Sequence, residues 1–360
     1  GIEMPYSSKK KFNNYIIFSC LKDQHSNLKI NQNLAVLLPT SGSTGAAKFV
    51  RISYKNLQSN TDSIIKYLKI NSNDMTLTTL PMSYSFGLSI LNSYFYSGAT
   101  LIITNKSVVS RDFWAILKSN KITSISGVPY IFELLDKLSF FKKNYPNLKT
   151  ITQAGGRMKS DLKKTILNYS ILNNIDFFVM YGQTEATARI SYVPPSILEN
   201  KIDSIGIPIP DTKLNIESKD SKEGELIVEG KNVSLGYAID YRDLSKGDEN
   251  CGRLKTGDIG YKDSDGYFYI TGRKSRFIKI NSIRLSLDDA EKLIENEFQD
   301  LDALCLGHDD NLVIEYVAQK NYDEEIKSFI CKKLKIHHKY LKISKIENIA
   351  RSSSGKKIYI

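Results

Sequence analysis

Four clusters in this chain combine residue types suited to holding phosphate and carboxylate. The first is TSGSTGAAK, where Thr40, Ser41, Ser43 and Thr44 supply hydroxyls, Gly42 and Gly45 free the backbone, and Lys48 adds an amine. A loop of this composition wraps phosphate oxygens with N–H and O–H donors, so a polyphosphate is its natural guest. It is not a Walker loop, which needs GxxxxGK followed by Ser or Thr, because Lys48 stands three residues after Gly45 and precedes Phe49. The second cluster is YGQTEAT. It sets Tyr181, Gly182, Gln183, Thr184 and Glu185 at the end of an apolar strand, the end at which parallel sheets collect ligands. Glu185 suits Mg²⁺ between phosphates, Thr184 an α-phosphate, and the ring of Tyr181 a purine face. Upstream, Ala154, Gly155 and Gly156 let the backbone come close to a flat ligand.

The third cluster lies in KTGDIGYKDSDGYFYITGRKSRFIK. Asp258 fits bidentate bonding of a ribose diol, and Arg273 fits the same ribose or its phosphate. The fourth, RSSSGKK, places Lys356 on a Gly/Ser turn near the end of the sequence.

The elements that must position these groups follow from periodicity. LAVLLP from Leu34, the small-residue loop and SYKNLQSNTDSIIKYLKI read as strand, loop and helix. Apolar runs TLTTLPM, ATLIIT, ITSISGV, LKTITQAG and DFFVMYG alternate with helical segments such as DFWAILKSN and YIFELLDKL. That alternation predicts an α/β fold with a mainly parallel sheet over about residues 34–203. Gly, Pro and Asp turns then break up strands, predicting a β-rich part over 204–271. The stretch 272–360 reads as a small α+β domain, which divides the chain into 1–271 and 272–360.

Composition limits the options further. The chain has 360 residues, 41% hydrophobic and 25% charged, which excludes collagenous, wholly disordered and multi-span membrane classes. Fifty Lys and Arg against 39 acids leave +11, a balance that favours anionic ligands without naming one. Cys20, Cys251, Cys305 and Cys331 lack CxxC spacing, so a reducing cytoplasm is expected, with no disulfide framework or zinc site. The run from Tyr15 to Leu21 meets Lys22 and Asp23 without a cleavage site, so no signal peptide and no membrane span are expected.

Taken in order, TSGSTG, YGQTE, TGD, GRK with IK, and SGK resemble the adenylate-forming, AMP-binding superfamily of acyl- and aryl-CoA synthetases, peptide-synthetase adenylation domains and luciferases. GVPYIFELL, AGG, SIGIPIP and GELIVEG support the resemblance, which covers about Leu34 to Ile358. It implies that ATP and a carboxylic acid give an acyl adenylate and pyrophosphate, and that the acyl group then passes to a thiol, either CoA or the phosphopantetheine of an acyl carrier protein. By the same resemblance Lys356 bridges the carboxylate and α-phosphate, and the Ser/Thr/Gly loop with Lys48 steadies pyrophosphate. Glu185 holds Mg²⁺, and Lys279 belongs to the face that the small domain presents for thiol attack. The acid pocket is expected from Tyr84, Phe86, Gly87, Val128, Ala154, Gly155 and Gly156. Nucleic acid is not an expected partner.

Some positions depart from the family pattern. Ala47 and Ala350 replace prolines, changing only loop stiffness. Tyr84 stands where many relatives carry His, and no carboxylate is present nearby for an α-ammonium, which argues against a standard amino acid. Ser275 replaces the hinge Asp, and Ser282 a Gly on the pantetheine path. Transfer to an amine or hydroxyl therefore stays open, as does a non-catalytic nucleotide-binding subunit. Only about 38 residues precede the phosphate loop, so a homodimer, a partner chain or a separately encoded half is expected to cover the sheet.

Overall fold

The computed structural model describes residues 6–12, 15–20, 29–39, 48–218, 222–281, 283–351 and 357–359. Thr40, Ser41, Gly42, Ser43, Thr44 and Gly45 of the first cluster, together with Ser282 and Lys356, lie outside the described residues.

The central sheet has seven strands in the order Ile207–Pro208, Ser191–Val193, Asp176–Tyr181, Thr150–Gln153, Ser124–Gly127, Met75–Leu77 and Thr100–Ile102. The five strands from Asp176–Tyr181 to Thr100–Ile102 are parallel, Ser191–Val193 pairs antiparallel with Asp176–Tyr181, and Ile207–Pro208 pairs antiparallel with Ser191–Val193. Alternate side chains of Asp176–Tyr181 enter different cores. Phe177 and Val179 join Ile125, Ile151, Phe113 and Phe132 on one face, while Phe178 and Met180 join Ile64, Phe86 and Ile90 on the other. Burial on both faces explains why these strands read as unbroken apolar runs. Helices Arg111–Ser119, Pro129–Lys137 and Ser160–Leu172 supply the first face, and Tyr54–Leu68 and Ser85–Tyr96 the second.

One segment differs from its sequence-based expectation. Leu34–Pro39 does not enter the parallel sheet. It pairs antiparallel with a further strand, Phe49–Ser53, and the latter pairs with Gly236–Ala238 to complete a separate three-stranded sheet. The strand, loop and helix reading therefore missed a strand, and the parallel sheet itself begins at Met75. The cause is a distant partner. Arg51, wholly buried, donates to the carbonyls of Tyr237, Leu235 and Lys246 at 3.1, 2.9 and 2.7 Å and meets Glu249 at 2.5 Å. Ser53 then ends the strand and caps helix Tyr54–Leu68, accepting from the backbone N–H of Asn56, whose side chain accepts in return from the N–H of Ser53.

Strands Thr212–Glu217, Glu223–Gly230, Arg253–Lys262 and Phe268–Arg273 form an antiparallel sheet. Beyond it, hairpin Phe277–Ile280/Ile283–Ser286, helices Leu287–Glu297 and Asp323–Leu334, and strands Asp302–His308, Asn311–Val317 and Leu341–Lys345 enclose a core of their own, from Ile278 to Ile336. Two groups pin the last residues to it. Lys357 Nζ lies 2.7 Å from Glu295 and 2.9 Å from Asp302, and the ring of Tyr359 stacks 3.7 Å from the Arg276 guanidinium. No helix among the described residues is long and apolar enough to cross a membrane.

Candidate active site

The carboxyl ends of the parallel strands converge on one region. Ser124–Gly127 leads into Val128, Thr150–Gln153 into Ala154–Gly156, and Asp176–Tyr181 into Gly182 and the turn Thr184–Ala186. This is where an open parallel sheet accepts a ligand.

Asp258 is the best-held carboxylate of the region. It is 2% exposed. Its Oδ2 accepts from the Tyr181 hydroxyl and, at 2.8 Å, from Gln183 Nε2, while Arg273 Nε donates to Oδ1 at 2.9 Å. Gln183 is fixed in turn by the carbonyl of Thr256 at 3.0 Å. Burial and the neighbouring Asp258 charge push the Tyr181 hydroxyl well above its ordinary range, so it stays a donor. Strands Asp176–Tyr181 and Arg253–Lys262 belong to different sheets, so this convergence joins residues 77 apart in sequence.

Glu185 Oε1 accepts from the Tyr237 hydroxyl at 2.8 Å. Tyr237 stands on the strand paired to Phe49–Ser53, so this three-stranded sheet also braces the carboxylate. Thr184 Oγ1 lies 3.1 Å from the hydroxyl of Ser85, at the start of helix Ser85–Tyr96. Lys48 is exposed at the head of Phe49–Ser53.

The expected acid-pocket residues separate into two groups. Tyr84, Val128 and Gly155 meet: a Cβ on Gly155, whose φ is +83°, falls 2.6 Å from the Tyr84 hydroxyl and 2.9 Å from Val128. Ala154 and Phe86 are buried in the core beside them, Tyr84 packs edge-on against Phe86, and burial raises the Tyr84 hydroxyl to about 12. Gly87, and Gly182 on the expected nucleotide side, also lie close to neighbouring backbone. A Cβ on Gly87 falls 2.2 Å from the carbonyl oxygen of Pro81, and one on Gly182 falls 1.6 Å from that of Ala188. Gly156 is exposed and lies against Pro129. If this pocket receives the acid, as the resemblance implies, Gly155→Val raises the KM for the acid roughly 10–100-fold, because overpacking costs about 1–3 kcal/mol, and shifts the KM for ATP less. Exchange kinetics with each substrate varied check this.

Lys279 lies outside this convergence. It is exposed on strand Phe277–Ile280, where its backbone N–H donates to Asp309 at 2.8 Å, and Ser275 is exposed on the turn just before that strand. Sequence reasoning missed Ser85 and Tyr237. Ser85 and Tyr237 sit in segments with no phosphate-handling pattern, and only their pairing across the fold brings them to Thr184 and Glu185.

A family profile described as AMP-binding enzyme matches residues 5–238, well over half of the chain. The 2-succinylbenzoate–CoA ligase of Listeria monocytogenes is 26% identical over 328 residues, covering 89% of this chain and 68% of that protein. The ligase of the same name from Staphylococcus aureus is 26% identical over 346 residues, covering 93% and 68%. Among solved structures, O-succinylbenzoate coenzyme A synthetase from Bacillus subtilis in complex with AMP superposes with a TM-score of 0.76 at 25% identity, covering 91% of this chain and 69% of that one. The chain belongs to the AMP-binding enzyme family, the adenylate-forming ligases.

Proposed function

We propose that this chain, as an ATP-dependent ligase, activates a carboxylic acid to its acyl adenylate with release of pyrophosphate and then transfers the acyl group to the thiol of coenzyme A. The phosphopantetheine of a carrier protein is the second acceptor of the same chemistry. The convergence of Tyr181, Gln183 and Arg273 on buried Asp258, beside Thr184 and Glu185, carries the reading. It supplies an anionic acceptor for a ribose diol, with hydroxyl and carboxylate groups next to it for phosphate and metal.

Within this reading Asp258 holds the ribose, Arg273 the ribose or its phosphate, and the ring of Tyr181 the purine. Thr184 bonds the α-phosphate, and the Thr40–Gly45 loop with Lys48 binds the departing pyrophosphate. Two anions must meet for the first step, and preorganised donors lower that barrier without reorganising during the reaction. No group of three metal-ligating side chains occurs among the described residues. An ion such as Mg²⁺ takes one or two carboxylates and finds its other ligands in phosphate and water. Glu185 would hold it, and the ion would neutralise phosphate charge. Tyr84, Val128 and Gly155 shape the acid pocket. Residues 272–360 act as a small lid hinged at Ser275, which brings Lys356 to the acid and α-phosphate and later presents Lys279. The cytoplasm is the proposed location, in keeping with unpaired Cys251, Cys305 and Cys331.

Acid-dependent exchange of labelled pyrophosphate into ATP tests the first step. Exchange with at least one acid of a broad panel is the expected result, and none with any acid overturns the reading in favour of a non-catalytic nucleotide-binding subunit. Product analysis with thiol and amine acceptors then tests the second step.

A further inference from the structure

One carboxylate of the C-terminal core holds the two cations that flank a short segment. Asp302 opens strand Asp302–His308. Its Oδ1 lies 2.9 Å from Lys357 Nζ, and its Oδ2 lies 2.5 Å from Arg351 Nη2. Arg351 and Lys357 also face each other as an antiparallel backbone bridge, and the N–H of Ile358 donates to the carbonyl of Ala350 at 2.8 Å. Between the two cations the sequence runs Ser352, Ser353, Ser354, Gly355 and Lys356. Asp302 thus fastens both ends of the stretch that contains Lys356.

The attachment is stronger than a chain end ordinarily receives. Lys357 Nζ also lies 2.7 Å from Glu295 and donates to the carbonyl of Ala303. Ile349, before the stretch, is buried, and Tyr359, after it, stacks on Arg276. Burial works against the charge of Asp302, but Lys357 and Arg351 outweigh it and hold the carboxyl below its ordinary range, so it stays ionised at neutral pH. Pinning the last residues alone does not call for the second cation, because Lys357 on Glu295 and Tyr359 on Arg276 already do it. Arg351 on the same carboxylate fixes the approach to the stretch as well as its exit. A short segment whose ends are fixed side by side explores far less space than a tail held at one end. Chemistry by a positioned cation needs that restriction, since a misplacement of about 1 Å can cost on the order of 10²-fold.

We infer that Asp302 is a positioning residue for adenylation: by holding Arg351 and Lys357 together it restricts the stretch 352–356 so that Lys356 meets the acid and the α-phosphate. The inference rests on the adenylating function and the role of Lys356 proposed above, and adds the group that acts through that lysine. Asp302 touches neither acid nor nucleotide.

The test is a double-mutant cycle on the full chain, read as acid-dependent pyrophosphate exchange. Asp302→Asn keeps the size of the side chain and removes the charge that both cations meet. It lowers the kcat of exchange roughly 10–30-fold, part of the loss that misplacing a reacting group brings, with the KM for ATP and for the acid changed less than about threefold. Thiol transfer from preformed acyl adenylate stays within about twofold, and Asp302→Glu recovers part of the exchange. In the Lys356→Ala chain the same Asp302→Asn change costs no more than about twofold, because the lysine it positions is gone. A purely structural clamp gives a different result: equal fractional losses in both half-reactions, following the loss of folded protein, and the same factor with or without Lys356. That result overturns the inference. Should Asp302→Asn fail to fold, Arg351→Gln breaks one arm of the clamp at a pair whose side chains are 36% and 31% exposed. A several-fold loss confined to exchange is then expected, and undiminished exchange in either variant overturns the inference while the adenylating function stands. Exchange at full rate by Lys356→Ala removes the role of that lysine and the inference with it, whereas no exchange by the unaltered chain with any acid overturns the adenylating function itself.

Discussion

Asp258→Asn lowers kcat/KM for ATP in pyrophosphate exchange by on the order of 10²-fold, mostly through KM, while the melting temperature falls by only a few degrees. The carboxylate presents about four acceptor directions. Tyr181 and Gln183 use two on Oδ2, and Arg273 uses one on Oδ1. A ribose diol seeking two bonds therefore displaces one protein donor. Arg273 is the group able to leave, since its side chain is 55% exposed whereas Gln183 is tied to Thr256 as well. The amide of asparagine offers a single acceptor oxygen and no charge. Hydrogen bonds to a charged group contribute about 1.5–3 kcal/mol each, so losing one and weakening the other costs about 3 kcal/mol, or on the order of 10² in affinity. Because these contacts form when nucleotide binds and persist through the reaction, the loss falls on KM. Stability suffers less. The Arg273 partner is half exposed and water replaces the lost charge, so the expected cost is about 1 kcal/mol, or roughly 2–4 °C. Exchange kinetics with varied ATP, paired with thermal unfolding, check both parts. A kcat/KM that follows the loss of folded protein would reduce Asp258 to a structural group.

The sequence made the elements of residues 75–181 readable because each parallel strand is buried on both faces and each helix carries an apolar stripe, so local pattern and final environment agree. Tyr181, Gln183 and Asp258 were legible as residue types with a shared chemistry, but their union depends on the packing of two sheets. What stayed hidden was set by distant partners. Phe49–Ser53 reads as the tail of a loop until Arg51 is seen bonded to carbonyls some 184–195 positions away. Ser85 and Tyr237 are unremarkable in sequence and gain meaning only from the hydroxyl and carboxylate they face. Glycine was legible in part. The Gly155–Gly156 pair was read as backbone access for a ligand, and Gly155 does lie against Tyr84 and Val128. Gly87 and Gly182 also admit a neighbouring carbonyl oxygen, a requirement that no local pattern reveals.

Lys356→Ala and Lys279→Ala should divide the two half-reactions between them. Lys356→Ala lowers pyrophosphate exchange by on the order of 10²–10³-fold, the loss seen when one donor is removed from a charge-stabilising site. Thiol transfer from preformed acyl adenylate then changes only a few-fold. Lys279→Ala gives the reverse pattern. The small C-terminal core explains how one unit can carry both lysines. Lys279 sits between buried Ile278 and Ile280, so the alternation of strand Phe277–Ile280 directs it outward. Lys356 is covalently next to Lys357, whose ammonium is 14% exposed and surrounded by Glu295, Asp302 and Glu291, with a pKa that these carboxylates raise. A cation so held stays charged and ties the end of the chain to helix Leu287–Glu297, while Lys279 rides on the hairpin just before that helix. If the proposed lid turns about the hinge at Ser275, the two lysines of this unit can be engaged one at a time. Assays of the two half-reactions on each variant check the division. Equal losses in both half-reactions for either lysine would show a single fixed arrangement and exclude the moving lid.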